Sequence, residues 1–146
     1  MFNELRRIWF AQRINRLAEV YDHVLGTLAL SEDGDSWETK VPIGGKEIEF
    51  IIGGDVRPDA ALMDRARVIV RNFAAFEKNV NDFLEGDDSS LRFLPNRNEG
   101  LTIQTIIFAR PDRPDEGMIC FSGLEDIGAW RCELVAGQPK NLTFDR

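Results

Sequence analysis

From Phe2 to Tyr21 the chain carries neither Gly nor Pro, and its apolar residues recur at helical spacing. Phe2, Leu5, Ile8 and Trp9 share a face in the first half of this segment, and Phe10, Ile14, Leu17 and Tyr21 share another in the second. The two stripes are offset by about 100°, so the expected helix has an unusually broad apolar surface that wants cover on more than one side. Alternation then takes over. His23 to Leu30 is strand-like, and Ser31 to Ser36 is a polar turn. Trp37, Thr39, Val41 and Ile43 alternate with Glu38 and Lys40, and Ile48, Phe50 and Ile52 alternate with Glu47 and Glu49. Gly44-Gly45 between these two runs is a hairpin signal, and Gly53-Gly54 ends the second.

Pro58 opens a second helical pattern, a proline being suited to the first turn, where its missing N–H would be unpaired. Leu62, Ala66, Ile69, Phe73, Phe76, Val80 and Phe83 follow at spacings of four and three until Gly86. One continuous helix of that length measures about 40 Å. A typical strand spans about 17–20 Å, so the helix is expected to overhang its sheet. Strand patterns resume at Leu101–Arg110, Met118–Ser122, Ala129–Val135 and Asn141–Phe144, separated by turn signals. The expectation is a single α+β domain over residues 1–146. Its order is an N-terminal helix, a three-strand antiparallel meander, a long amphipathic helix, and three to four further antiparallel strands.

With 146 residues, 43% of them hydrophobic and ten of them Phe, the chain can bury a core, which excludes intrinsic disorder. The formal net charge of −7 argues against bare nucleic acid as a partner, because phosphate binding needs a basic face, and favours a basic protein surface. Arg6, Arg7, Arg13 and Arg16 make the first segment locally positive within this acidic chain. Neither a signal peptide nor an apolar run of membrane-spanning length is visible. A cytoplasmic protein with reduced thiols and no membrane partner is therefore expected.

Candidate chemistry is sparse. His23 is the only histidine and lies beside Asp22. Cys120 and Cys132 sit on strands expected to be neighbours, facing each other in one register and not in the next. No spacing of these residues matches a metal site, and neither Gly pair lies in a phosphate-loop context, so no metal and no organic cofactor are expected. The acids cluster at Glu32, Asp33 and Asp35, at Asp87 and Asp88, at Asp112, Asp115 and Glu116, and at Glu125 and Asp126. Solvated turns explain most such clusters. The functional alternative is a shared acidic rim facing a basic partner, with Glu32, Asp33, Asp35, Asp112, Asp115, Glu116, Glu125 and Asp126 as the candidate binding residues. Phe2, Leu5, Trp9 and Phe10 form a second candidate patch, for a homodimer or another partner.

Five stretches carry a resemblance: His23-Val24-Leu25-Gly26-Thr27-Leu28, Trp37-Glu38-Thr39-Lys40-Val41, Gly45-Lys46-Glu47-Ile48-Glu49-Phe50, Trp130-Arg131-Cys132-Glu133-Leu134 and Asn141-Leu142-Thr143-Phe144-Asp145. Together with the element order, they resemble small bacterial families described only as domains of unknown function, whose members look like immunity or accessory proteins. The size, acidity and opening elements are also similar to those of class I type III secretion chaperones, which hold a secreted client as homodimers. Those chaperones close with a helix, whereas residues 129–144 read as strands. The expected function is a non-enzymatic protein-binding domain, such as an immunity-type inhibitor of a basic partner. The alternatives are a chaperone-like homodimer and a carboxylate-dependent hydrolase.

Overall fold

A computed structural model describes residues 18–86, 101–123 and 129–145. Among these residues eight strands form one sheet in chain order: β1 (Glu19–Asp22), β2 (Gly26–Leu30), β3 (Ser36–Ile43), β4 (Lys46–Gly53), β5 (Thr102–Phe108), β6 (Glu116–Ser122), β7 (Ala129–Val135) and β8 (Gln138–Asp145). Each half is an antiparallel four-strand meander. The halves meet at a parallel seam, where Phe50 pairs with Ile106 and Ile52 with Phe108. A parallel pair needs a long crossover, and helices α1 (Ala60–Arg71) and α2 (Phe73–Glu85) lie within it.

This architecture overturns the expected element order at three points. The first helix cannot run to Tyr21, because Glu19–Asp22 is strand β1, paired with β2. Within it, Val20 packs toward the core while Tyr21 is 77% exposed, a period of two rather than 3.6. The four-residue spacing from Leu17 to Tyr21 satisfied a helical pattern, but the free edge of β2 offers this stretch a ladder, and pairing outweighs local spacing. The helix expected before it falls on residues outside those described.

The second point is the number of strands. The meander has four, and both meanders join in one mixed sheet rather than forming separate antiparallel groups. The third is the long helix, which is two helices of 12 and 13 residues. At Asn72 the backbone turns to φ −120°, ψ 35°. The Val68 carbonyl accepts both the Asn72 backbone N–H and its side-chain Nδ2, each at 3.1 Å, so the side chain competes with the helical ladder at the bend. Each piece is then about 18–20 Å long, matching the strands it covers, and the overhang disappears. Asp59 is the N-cap of α1, accepting from the Leu62 N–H at 3.1 Å, so Pro58 precedes the helix instead of opening it.

The apolar stripe itself survives the bend. Leu62, Ala66, Ile69, Phe73, Phe76 and Val80 are buried, joined by Met63. At its end Leu84 is buried and Phe83 only partly so, because a strict seven-residue repeat drifts from the 3.6-residue turn. These side chains pack on Leu28, Trp37, Phe50, Ile52, Ile106, Ile119, Trp130 and Leu134, all on one face of the sheet. A bulge between Ile103 and Thr105 lets both Ile103 and Ile106 face this core. Gly44 and Gly45, at φ 57° and 80°, make the tight turn between β3 and β4.

Candidate functional site

Among the described residues the helices cover one face of the sheet and leave the other open. Across the open face the strand registers align a single row of residues. It starts at Glu19, passes Ala29 and Glu38, crosses Ile51, Ile107 and Met118 at the sheet centre, and ends at Glu133 and Lys140. The three central side chains are half-buried and stand outside the core cluster. A second row beside it reads Lys40, Glu49, Thr105, Cys120 and Arg131. Thr105 Oγ1 reaches Glu49 Oε1 at 3.5 Å, and Arg131 pairs with Asp145 at 3.0 Å. Carboxylates surround the apolar centre: Glu38 and Glu133 end the apolar run, and Glu47 and Glu49 lie below it on β4.

At the upper end of this face, between the β5–β6 loop and β7, a cleft of about 430 Å³ opens. Ile107, Met118 and Val135 give it apolar walls, and Arg110, Arg113 and Glu133 give it polar ones. Its volume lies in the range that holds a small molecule or a bulky side chain of a partner.

The acids singled out from sequence are placed differently. Glu32, Asp33 and Asp35 occupy the β2–β3 turn, Asp112 and Asp115 the β5–β6 connection, and Glu116 the start of β6. The strand directions put both at the same end of the sheet. Most are already engaged there. Asp33 accepts from Ser31 Oγ and the Asp35 N–H, and these bonds lower its pKa. Asp112 pairs with Arg110, which lowers its pKa as well, Asp115 pairs with Arg65, and Glu116 pairs with Arg113. The β5–β6 connection is thus nearly balanced in charge rather than an acidic rim. Of the named acids only Glu116 lines the cleft, and no convergence of them that would support a hydrolase is present among the described residues. Glu125, Asp126, Phe2, Leu5, Trp9 and Phe10 lie outside the described residues.

His23 and Asp22 do not act as a pair. Asp22 turns inward and organises the β1–β2 turn. Its Oδ2 accepts from the Val24 and Leu25 N–H groups at 3.0 and 2.9 Å, and its Oδ1 accepts from Arg67 Nε and Nη2 at 3.0 and 2.6 Å. Burial alone would raise this carboxyl, but the Arg67 bonds, the two N–H groups and the Arg67 charge outweigh it and hold the pKa at about 2. The His23 ring instead lies 3.5 Å from the Arg71 guanidinium. The cysteines face opposite ways: Cys120 is on the open face opposite Arg131, and Cys132 is in the core opposite Ile119. Both are free thiols, and burial pushes Cys132 up to about 12, so neither is a ready nucleophile. No group of three His, Cys, Asp or Glu residues able to hold a metal exists among the described residues. No described helix is long and apolar enough to cross a membrane.

The open-face residues were hidden in the sequence inside apolar runs: Phe50-Ile51-Ile52, Ile106-Ile107-Phe108 and Met118-Ile119. The available signal was that each run holds one apolar residue out of phase with its alternating strand, on three strands that turn out to be neighbours. No protein-family model matches the chain, and no curated protein or solved structure is similar to it.

Proposed function

We propose that the domain is a protein-binding module that presents its open sheet face to a basic partner. The observation that carries this reading is the row Glu38–Ile51–Ile107–Met118–Glu133, an apolar strip with a carboxylate at each end. Specific interfaces combine a desolvated apolar centre with a polar rim, and this face has that arrangement. On the strands of this face Glu19, Glu38, Glu47, Glu49 and Glu133 outnumber Lys40, Arg131 and Lys140, so lysines and arginines on the partner find complementary charge. An inhibitor of the immunity type, capping a basic toxin, is the specific role that fits this chemistry and the net charge of −7.

The test is affinity capture from the chain's own host, run in parallel with wild type and Ile107→Glu. The expected result is a basic protein recovered in stoichiometric amount by wild type and lost with the variant. Rebinding of the purified pair should weaken as salt rises, because the rim charges are screened. A partner that binds Ile107→Glu as tightly as wild type, or one with an acidic binding surface, would overturn the reading.

A further inference from the structure

The cleft at the upper end of the open face carries a charge arrangement that a basic partner does not use. The guanidiniums of Arg110 and Arg113 stand on its β5–β6 side, and Glu133 stands on β7. Between them Ile107, Met118 and Val135 give an apolar floor. A lysine or arginine entering here meets two like charges, so the cleft calls for a different ligand. Arg110 meets Asp112 through Nη2 at 3.1 Å, and Arg113 meets Glu116 through Nη1 at 3.5 Å. A guanidinium carries five N–H donors, so both keep donors for a ligand. Glu133 accepts from Asn141 Nδ2 at 2.8 Å through Oε2, which leaves Oε1 to accept from something else.

The wall that carries the arginines is held in place. The Arg113 N–H donates to the Arg110 carbonyl at 2.9 Å and the Glu116 N–H to the Arg113 carbonyl at 3.1 Å, which makes two successive turns. The Ala136 N–H donates to the Asp115 carbonyl at 2.9 Å and joins this connection to the β7–β8 turn. The Asp115 carboxylate pairs with Arg65 of α1. A ligand therefore meets a wall that is already ordered, which lowers the entropic cost of binding.

Opposite charges across an apolar floor select a zwitterion with an apolar body. β5 and β7 stand two strand spacings apart, about 10 Å. An extended dipeptide measures about 7 Å, and the arginine and glutamate side chains close the remainder. A free amino acid carries both charges on one carbon and does not span the two walls. The volume of about 430 Å³ has room for a ligand of dipeptide size. We propose that the cleft binds a short apolar peptide, with its terminal carboxylate on Arg110 and Arg113 and its terminal ammonium on Glu133. The apolar side chains rest on Ile107, Met118 and Val135. The inference does not use the existence of a protein partner, so the two readings fail separately.

The experiment is calorimetric titration of the full-length chain with leucyl-phenylalanine and phenylalanyl-leucine, each also in its N-acetylated and its C-amidated form. At least one free dipeptide is expected to bind, and each capped form of it should bind about tenfold more weakly, since each has lost one charged hydrogen-bonding end. In Glu133→Gln the free and N-acetylated forms should bind equally, because the charge that distinguishes them is gone. A glutamine side chain at that position still accepts from Asn141, so the fold is kept. Replacing Arg110 and Arg113 together by Gln should equalise the free and C-amidated forms. No binding of either dipeptide at millimolar concentration, capped forms that bind as tightly as free ones, or discrimination that persists in Glu133→Gln would overturn the proposal. None of these outcomes bears on the capture experiment, which reads a second protein.

Discussion

The two faces of the sheet are built from adjacent residues of the same strands, yet they obey different rules. Phe50 is fully buried under the helices, while Ile51 beside it in the chain is half-buried on the open side. On the inner face nearly every side chain is apolar; the indole N–H groups of Trp37 and Trp130 are buried there without a hydrogen-bond partner among the described residues, whereas Thr39 and Asp22 are tied down. Thr39 Oγ1 donates to the Leu25 carbonyl at 3.0 Å, and Asp22 is held by Arg67 and two N–H groups. On the open face an apolar centre on β4, β5 and β6 is flanked by charged residues, and the charges reach solvent. The inner face holds the chain together, and the open face is the one proposed to receive a partner. The first role tolerates no exposed charge and the second uses it.

The sharpest test of that contrast is a pair of substitutions one residue apart. Phe50→Ala should remove about 3–5 kcal/mol of stability, the usual cost of emptying a buried aromatic site. Ile51→Ala should remove about 1 kcal/mol or less, since its side chain keeps contact with water in the folded state. Urea denaturation of both variants measures the difference, and equal losses would dissolve the distinction between the faces.

Asp22 sharpens the comparison from the polar side. Its folded pKa of about 2 lies below the ordinary 3.8, so ionised Asp22 adds about 2 kcal/mol of stability. A depressed carboxyl pKa means this contribution is present above pH 3.8 and is lost as the pH falls toward 2. Asp22→Asn should therefore be less stable than wild type at pH 7, and the gap should close between pH 4 and 2 in pH-dependent denaturation curves. A gap of constant size across that range would show that the Arg67 pair contributes nothing.

Ile107→Glu probes the open face in the opposite sense. Added charge there costs stability by about 1 kcal/mol or less, while abolishing capture of the proposed partner. Thermal melting and the capture assay read the two effects separately. The smallest change is expected in the β7–β8 turn. Ala136 holds φ 51° in the β7–β8 turn, a conformation that disfavours a residue with a Cβ. Ala136→Gly should raise stability by about 0.5–1 kcal/mol, visible as a small increase in melting temperature.

How much of this was legible in the sequence depended on whether the determining contact was local. The β3–β4 hairpin was readable throughout, because alternation and Gly44-Gly45 are both encoded within the strands and turn that form it. The helical stripe from Leu62 to Val80 was readable for the same reason. The bend at Asn72 was not, since an asparagine is tolerated on an exposed helix face, and only its bond to the Val68 carbonyl reveals competition. Strand β1 was hidden because Val20 and Tyr21 acquire their alternation from pairing with Leu28 and Thr27. The candidate site was the least legible. Ile51, Ile107 and Met118 come together only through the parallel seam, and no pattern within one strand reports on its neighbour. The turn acids drew attention because they are dense in sequence, but density also gave them arginine and backbone partners nearby.

That seam also dictates how the chain must find its shape. Every other ladder joins strands separated by a turn or a loop, whereas Glu49 and Thr105 meet across 56 residues. Closing a loop of that length costs about 1.5 kcal/mol more in chain entropy than closing one of about ten residues. The hairpins within each meander can therefore form and dissolve many times before the two halves meet. The union of β4 with β5 is expected to be a slow step of folding, because it is the strand pairing with the greatest separation along the chain.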